Sequence, residues 1–343
     1  LNLIHLGLNN EFQDLATPFI EQGFSLGRVA LEHKHIYRIY TEHGELLAEI
    51  AGKLRFEAQG IEDFPAVGDW VAIKPRAEEG KATIHAVLPR KSKFSRNNAG
   101  MTTEEQIVAT NVDYVFLVTA LNNDFNIRRL ERYLIMAWES GATPVIILSK
   151  ADLCSDVQDK LAAVESIAIG VPVHILSSVT KEGIEDIAQY VKPGITAALL
   201  GSSGVGKSTL INQLYGEDIQ KVNDIRQGDD RGKHTTTHRE LIILPSGGII
   251  IDTHGMRELQ LWEGGQGFTE SFKDIEDLAR ECRFTDCTHK NEPHCAVKLA
   301  IEEGRLDAER FTSYLKTQRE LQYLERKEKL KARADHKKAM KKK

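Results

Sequence analysis

One nonapeptide constrains the fold of this chain more than any other stretch: Gly201-Ser202-Ser203-Gly204-Val205-Gly206-Lys207-Ser208-Thr209. Two glycines with four residues between them, then Lys and Ser, let backbone N–H groups curl around phosphate oxygens. The pattern works only where a strand delivers the chain and a helix takes it away, its N-terminus facing the anion. Here the apolar Ile195–Leu200 reads as the strand and Lys207–Leu214 as the helix. In that frame Lys207 reaches the terminal phosphates and Ser208 is a ligand for Mg²⁺. Tyr114–Thr119, Thr143–Leu148, Val171–Leu176, Leu241–Leu244 and Gly248–Asp252 read as further strands. Ile127–Glu139 and Ile184–Val191 read as helices between them. Strands alternating with helices predict a mostly parallel sheet covered on both faces.

A phosphate loop does not choose a base. Ser149-Lys150-Ala151-Asp152, at the end of the strand Val145–Leu148, has the form Asn-Lys-x-Asp with Ser in place of Asn. Asp152 can accept hydrogen bonds from guanine N1–H and the exocyclic amine, a donor pair that adenine lacks. The stem of Lys150 can lie over the base. Ser177-Ser178 closes the next strand and has the form of a loop whose backbone N–H meets guanine O6. Asp252-Thr253-His254-Gly255 matches Asp-x-x-Gly: Asp252 holds Mg²⁺ through water and the Gly255 N–H senses the γ-phosphate. Arg231-Gly-Lys-His234-Thr235-Thr236-Thr237 offers one threonine as a further Mg²⁺ ligand, with Thr236 favoured only slightly over its neighbours. Met256 stands where an amide that orients the attacking water is often found, and a thioether cannot do that work, so slow intrinsic turnover is expected. His234 is a candidate to position water, with His254 its rival.

The order of these motifs is informative. The base motif and the Ser-Ser loop precede the phosphate loop, whereas conventional GTPases place them after it. The chain therefore reads as a circularly permuted GTPase, feasible because domain termini lie close together at the surface.

Cys282-x4-Cys287-x-His289-x5-Cys295 gathers three thiols and an imidazole within fourteen residues of polar sequence. Such a set makes a closed, structural Zn²⁺ site. His294 is a spare donor, and Cys154 stands apart beside the base motif. Upstream, Arg28–Glu32, His35–Thr41, Leu46–Leu54, Trp70–Pro75 and Ala82–Leu88 are β-rich and punctuated by Gly44, Gly60, Pro65, Gly68 and Gly80. Five short strands in that space predict a small OB-type barrel. Residues 94–111 read as a polar loop. Downstream, Phe268–Glu281, Ala296–Glu303 and Asp307–Lys331 read as helices. The expected organisation is an arm at 1–27, an OB-type β-barrel at 28–93, a permuted α/β GTPase domain at 94–264, and a helical zinc domain with a basic tail at 265–343.

The 343 residues are 41% hydrophobic and 28% charged, which excludes global disorder. No apolar run approaches the roughly 20 residues that a membrane helix needs. Leu1–Leu8 has neither a basic flank nor a small-residue cleavage site, so no signal peptide is expected. Clustered cysteines beside a histidine fit a metal in a reducing compartment, and a soluble cytoplasmic monomer without membrane contact is expected. The net charge of −5 hides an asymmetry, for residues 320–343 carry ten Lys/Arg against four Asp/Glu. That tail is either a handle for nucleic acid or a solvated helix end.

A barrel, a permuted GTPase and a Cys/Cys/His/Cys domain in one chain resemble the YjeQ/RsgA family of ribosome small-subunit-dependent GTPases. The resemblance spans roughly residues 28 to 325. Gly201–Thr209, Gly232–Thr237, Asp252–Gly255 and Cys282–Cys295 carry it, and Asp124-Phe-Asn-Ile-Arg-Arg-Leu-Glu-Arg132 is also family-like. Ser149 and His254 depart from the family pattern. The resemblance implies a GTPase that binds the 30S subunit and its rRNA late in assembly, is stimulated by it, and carries Mg²⁺ with GTP and one Zn²⁺. Rival readings are a zinc-containing RNA-binding module with a structural nucleotide, an ATP-using P-loop kinase or ATPase, and a permuted GTPase acting on another ribosomal partner such as the large subunit.

Overall fold

A computed structural model describes residues 1–97, 105–216, 239–253, 266–290 and 292–341. The chain divides into two compact units, residues 1–133 with 140–260 and residues 134–139 with 261–343.

The first unit opens with the helix α1 (Asn10–Glu21), capped by Asn9, whose Oδ1 accepts from the Phe12 N–H at 3.0 Å. The barrel follows: β1 (Ser25–His33), β2 (Ile36–Thr41), β3 (Gly44–Ile50), β4 (Trp70–Arg76) and β5 (Lys81–Val87). Their order β1-β2-β3-β5-β4, with β4 pairing back onto β1, closes the sheet and leaves it no free edge. Alternate residues of β2 and β3 point inward, and Val29, Tyr37, Ile39, Leu46, Ile73 and Ile84 fill the interior. Outside, Leu6, Phe12 and Ala16 are buried against Leu26, Trp70 and Leu88, so the first residues are packed rather than loose. The fully buried Arg28 donates to carbonyls of Leu6, Gly68 and Asn111. Burial pushes its pKa down to about 10, eased by Asp113 and Asp69.

Two sequence readings are corrected here. Leu46–Leu54 is not one strand, because β3 ends at Ile50 and a helix, α2 (Gly52–Glu57), takes the chain on to β4. Residues 94–111 are not simply a loop, because β6 (Lys93–Asn97) and β7 (Glu105–Thr110) form an antiparallel pair. Polar sequence hid them, yet Phe94, Ile107 and Val108 are buried.

The α/β core comprises β8 (Tyr114–Ala120), α3 (Ile127–Ser140), β9 (Thr143–Ser149), α4 (Val157–Ile167), β10 (Val173–Ile175), α5 (Ile184–Ala188), β11 (Thr196–Leu200), α6 (Lys207–Tyr215), β12 (Glu240–Ile243) and β13 (Ile249–Asp252). The strand order is β10-β9-β8-β11-β13-β12, parallel except for the β12–β13 hairpin. The strands bury both faces and read as continuous apolar runs: β9 carries Val145, Ile146, Ile147 and Leu148, all fully buried. The chain moves outward through β8, β9 and β10, then returns to place β11 beside β8 on the other side. That reversal opens a crevice at the carboxyl ends of β8 and β11, where α/β sheets hold ligands.

The second unit is helical among its described residues. Phe268–Glu281 is two helices, Gln266–Ser271 and Lys273–Arg280, separated at Phe272, whose ψ of 30 leaves the helical region. Ala296–Glu302 and the long Ala308–Lys341 follow. Phe268, Phe272, Ile275, Val297, Tyr314 and Leu321 form the core. Arg310, 4% exposed, grips Asp274 with two hydrogen bonds of 2.7 and 2.6 Å and lies over the Phe272 ring. No described helix is long and apolar enough to cross a membrane.

Candidate functional site

The crevice between β8 and β11 is built by three loops, each leaving the carboxyl end of a parallel strand. The first is 201–206, after β11. Gly201 is required by space, since a Cβ there would meet the Val118 carbonyl oxygen at 2.3 Å. Gly204 (φ +79) and Gly206 (φ +103) are left-handed, and a Cβ on either would meet nothing within 4 Å, so the loop presents bare backbone to an open cradle. Val205 points the other way and is buried in the sheet core. Gly206 precedes α6, so Lys207 and Ser208 occupy its first turn, where N–H groups lack helical partners. The Lys207 ammonium folds back onto its own loop and donates to the carbonyls of Gly201 at 2.6 Å and Ser202 at 2.8 Å.

The second loop carries the base motif. Ser149, 3% exposed, donates its hydroxyl to the Val205 carbonyl at 2.6 Å. Its polar atom therefore ties the base motif to the phosphate loop, across 56 residues of chain. Lys150 adopts a left-handed conformation (φ 59, ψ 39), which turns the chain sharply into Ala151 and Asp152. Asp152 Oδ1 accepts from Ser177 Oγ at 2.7 Å, and Ser177 Oγ also accepts from the Thr180 N–H at 3.2 Å. The Ser177 N–H is itself committed to the Glu182 carbonyl at 3.1 Å. Ser177 is thus a buried brace for Asp152, and Ser178 is the residue of the pair that faces outward. Gln213 of α6 holds the Ser178 carbonyl at 2.8 Å.

The third loop, 121–126 after β8, was noted in the sequence without a role. Asp124 accepts from Ser202 Oγ at 2.6 Å and from Arg129 at 2.8 Å. Asn126 caps α3 by accepting from the Arg129 N–H at 2.9 Å. The spacing Asp-x-Asn-x-x-Arg at the start of a helix is the signal that could have assigned Asp124 and Arg129 to this brace.

Asp252 ends β13, the neighbour of β11, and is 5% exposed. Thr253 fixes that end by donating to the Leu199 carbonyl. Ser208, in the first turn after β11, and Asp252, at the end of the neighbouring β13, are hard oxygen donors of the kind that suits Mg²⁺. His234, Thr235, Thr236, Thr237, His254, Gly255 and Met256 lie outside the described residues.

The second unit holds the other site. Cys282, Cys287, His289 and Cys295 bring their ligand atoms within 4.8 Å of one another. The Cys282–Cys295 sulfurs are 3.8 Å apart, and His289 Nδ1 lies 3.6 and 3.3 Å from Cys282 and Cys295. A tetrahedron with Zn–S bonds of about 2.3 Å has edges of about 3.8 Å, so the donor set fits zinc. His294 is not among the four donors. Cys295 precedes the helix Ala296–Glu302, and although burial pushes the Cys282 thiol up, N–H groups of Val297 and Ala296 draw its pKa below the ordinary value.

Known proteins are similar to this chain over most of its length. Residues 87–262 match the family model described as RsgA GTPase. The chain is 47% identical over 323 residues to the small ribosomal subunit biogenesis GTPase RsgA 2 of Lactiplantibacillus plantarum, covering 94% of this chain and 90% of that protein. It is 49% identical over 318 residues to RsgA 1 of Oceanobacillus iheyensis, covering 92% and 91%. Among solved structures, YjeQ from Thermotoga maritima aligns with a TM-score of 0.65 at 29% identity, over 87% of this chain and 98% of that one. YloQ, described as a circularly permuted GTPase, aligns with a TM-score of 0.62 at 25% identity, over 87% and 95%. The family model spans just over half of the chain and the relatives cover more than nine-tenths of it: the chain belongs to the RsgA GTPase family.

Proposed function

We propose that this chain hydrolyses GTP during late maturation of the small ribosomal subunit, slowly alone and faster on the 30S particle. The observation that carries the nucleotide reading is the tie from Ser149 to Val205, which joins a guanine-selecting loop to a phosphate-binding loop as one surface. On this reading Gly201, Ser202, Ser203, Gly204, Val205, Gly206, Lys207, Ser208 and Thr209 hold the phosphates. Lys207 exchanges its two loop carbonyls for phosphate oxygens as the nucleotide enters. Asp152, braced by Ser177, accepts from the guanine edge, and the backbone of Ser178 approaches O6. Ser149, Lys150 and Ala151 shape the rest of the base pocket.

Ser208, Thr236 and Asp252 are the residues that would hold Mg²⁺, which supplies charge neutralisation at the β- and γ-phosphate oxygens. The Gly255 N–H reads the γ-phosphate, and His234 orients water where Met256 cannot. One zinc ion in the Cys282–Cys287–His289–Cys295 cluster organises the second unit. We further propose the division 28–93, 94–264 and 265–343 as barrel, GTPase and zinc domains, preceded by residues 1–27. The barrel, the zinc domain and the basic end of the last helix provide the contacts to rRNA. The ribosomal partner places the work in the cytoplasm, and the chain acts as a monomer.

The decisive experiment is GTP turnover, with ATP as control, alone and with purified 30S or 50S subunits. Slow GTP-specific turnover accelerated by 30S alone is expected. Acceleration by 50S, or by neither, would remove the small-subunit assignment and leave a GTPase in need of another partner.

A further inference from the structure

The barrel and the phosphate-site core share one sheet. β1 of the barrel pairs antiparallel with β12 at Leu31 and Glu240. Leu31 is also in register with Arg38 of β2, and Glu240 with Asp252 of β13. A single cross-strand row therefore reads Arg38, Leu31, Glu240, Asp252, and it runs from the barrel to the end of the strand that carries the Mg²⁺ motif. Directly opposed residues share a face, so Arg38 and Glu240 flank Leu31 on the same side. Their side chains meet across it as an ion pair. Both are about a quarter exposed, so salt screens the pair less than a surface one.

The arginine has a second carboxylate within reach. Glu45 of β3 lies 3.9 Å from Arg38 Nε, and that Nε is buried without a hydrogen-bond partner. The guanidinium stands between one acid on the barrel and one on the core, with a donor still unspent. Such an arrangement offers the guanidinium a choice of two carboxylate partners. Whatever fixes Glu240 on β12 also fixes the register of Asp252, its direct partner on β13.

We infer that Arg38 and Glu240 are positioning residues for hydrolysis: their ion pair transmits what the barrel binds to Asp252. The inference rests on the reading that the small subunit stimulates turnover. Neither residue belongs to the phosphate, base or zinc sites, so neither is needed for unstimulated hydrolysis.

The test compares wild type, Arg38→Gln, Arg38→Glu, Glu240→Arg and the exchange Arg38→Glu/Glu240→Arg. Each is measured for basal kcat and KM for GTP, for sedimentation with 30S, and for 30S-stimulated kcat. The single charge reversals are expected to keep basal kcat and KM and to lose about tenfold of the stimulated rate. The exchange is expected to recover most of it. A barrel variant that keeps full stimulation overturns the inference. So does a loss that tracks lost sedimentation and is not rescued by the exchange, since Arg38 would then simply touch RNA. Arg38→Gln, which keeps the shape and removes the charge, guards against misfolding of the reversed variants. Wild type without 30S stimulation would instead break the underlying partner reading.

Discussion

The two units hold their chemistry by different means. In the first, the phosphate loop hangs from a sheet whose strand β9 is a continuous apolar run, and its conformation is braced by side chains from two other loops, Ser149 and Asp124. In the second, the metal donors sit among helices whose core comprises, among the described residues, ten buried side chains, one of them the donor Cys295. A sheet that buries both faces pre-forms its site without any ligand. A small helical unit buries too little surface to do so, and metal then becomes part of its folding free energy. The comparison predicts that a nucleotide would be a visitor to the first unit, whereas a zinc ion in the Cys₃His cluster would be a structural member of the second.

That contrast can be broken in order of expected effect. Removal of zinc by a chelator, or by Cys282→Ser, withdraws a binding free energy of about 10 kcal/mol or more from the second unit. Hydrogen exchange is expected to show residues 273–280 and 308–321 losing protection while β11 and β13 keep theirs. Simultaneous loss in β11 would mean that the units do not fold independently. Phe272→Ala, which empties the aromatic centre of the second core, costs about 3–5 kcal/mol there. The KM for GTP should not change, and a matched rise in KM would again join the two units. Lys207→Ala is expected to lower kcat by about 10²–10³-fold, in the range of losing one charged or hydrogen-bonding group aimed at developing charge. Circular dichroism should remain native, because the ammonium donates to carbonyls of its own loop, Gly201 and Ser202. Ser202→Ala removes the Asp124 brace and should cost about 1 kcal/mol of loop order. A roughly fivefold weaker GTP affinity, measured by calorimetry, would match that figure, and an unchanged affinity would show that Asp124 merely caps α3.

Much of this was legible along the chain. Helix α6 begins at Lys207, where the phosphate-loop pattern puts it, and Asp252 ends its strand as the Asp-x-x-Gly motif requires. Both are local patterns in which a few residues dictate backbone shape. The four zinc donors were equally plain, because three thiols and an imidazole so close together have few other uses. Helix α4 is absent from the elements read from the sequence, although Val157, Leu161, Val164 and Ile167 keep helical spacing. The β6–β7 pair escaped because residues 98–106 are mostly polar and because Ile107, Val108, Ala109 and Thr110 are buried in succession, without the period-two alternation that marks a strand. Phe272 ends one helix and begins another because its ring is needed in the core, a demand that helical periodicity does not express.

The sequence alone determined which chemistries this protein holds. Glycine spacing, a Lys-x-Asp after a strand and four soft metal donors are each written within a few consecutive residues, so their geometry follows from local backbone physics. Motif order alone also determined that the domain is permuted. Tertiary structure decided how those pieces are braced and joined. Ser149 turned out to hold the phosphate loop, Ser177 to brace Asp152, and Asp124 to hold Ser202, all through bonds between residues at least 25 positions apart. The row from Arg38 to Asp252 exists only because the barrel and the core extend one sheet. Pairing between distant strands depends on the whole packed arrangement, and no local pattern encodes it.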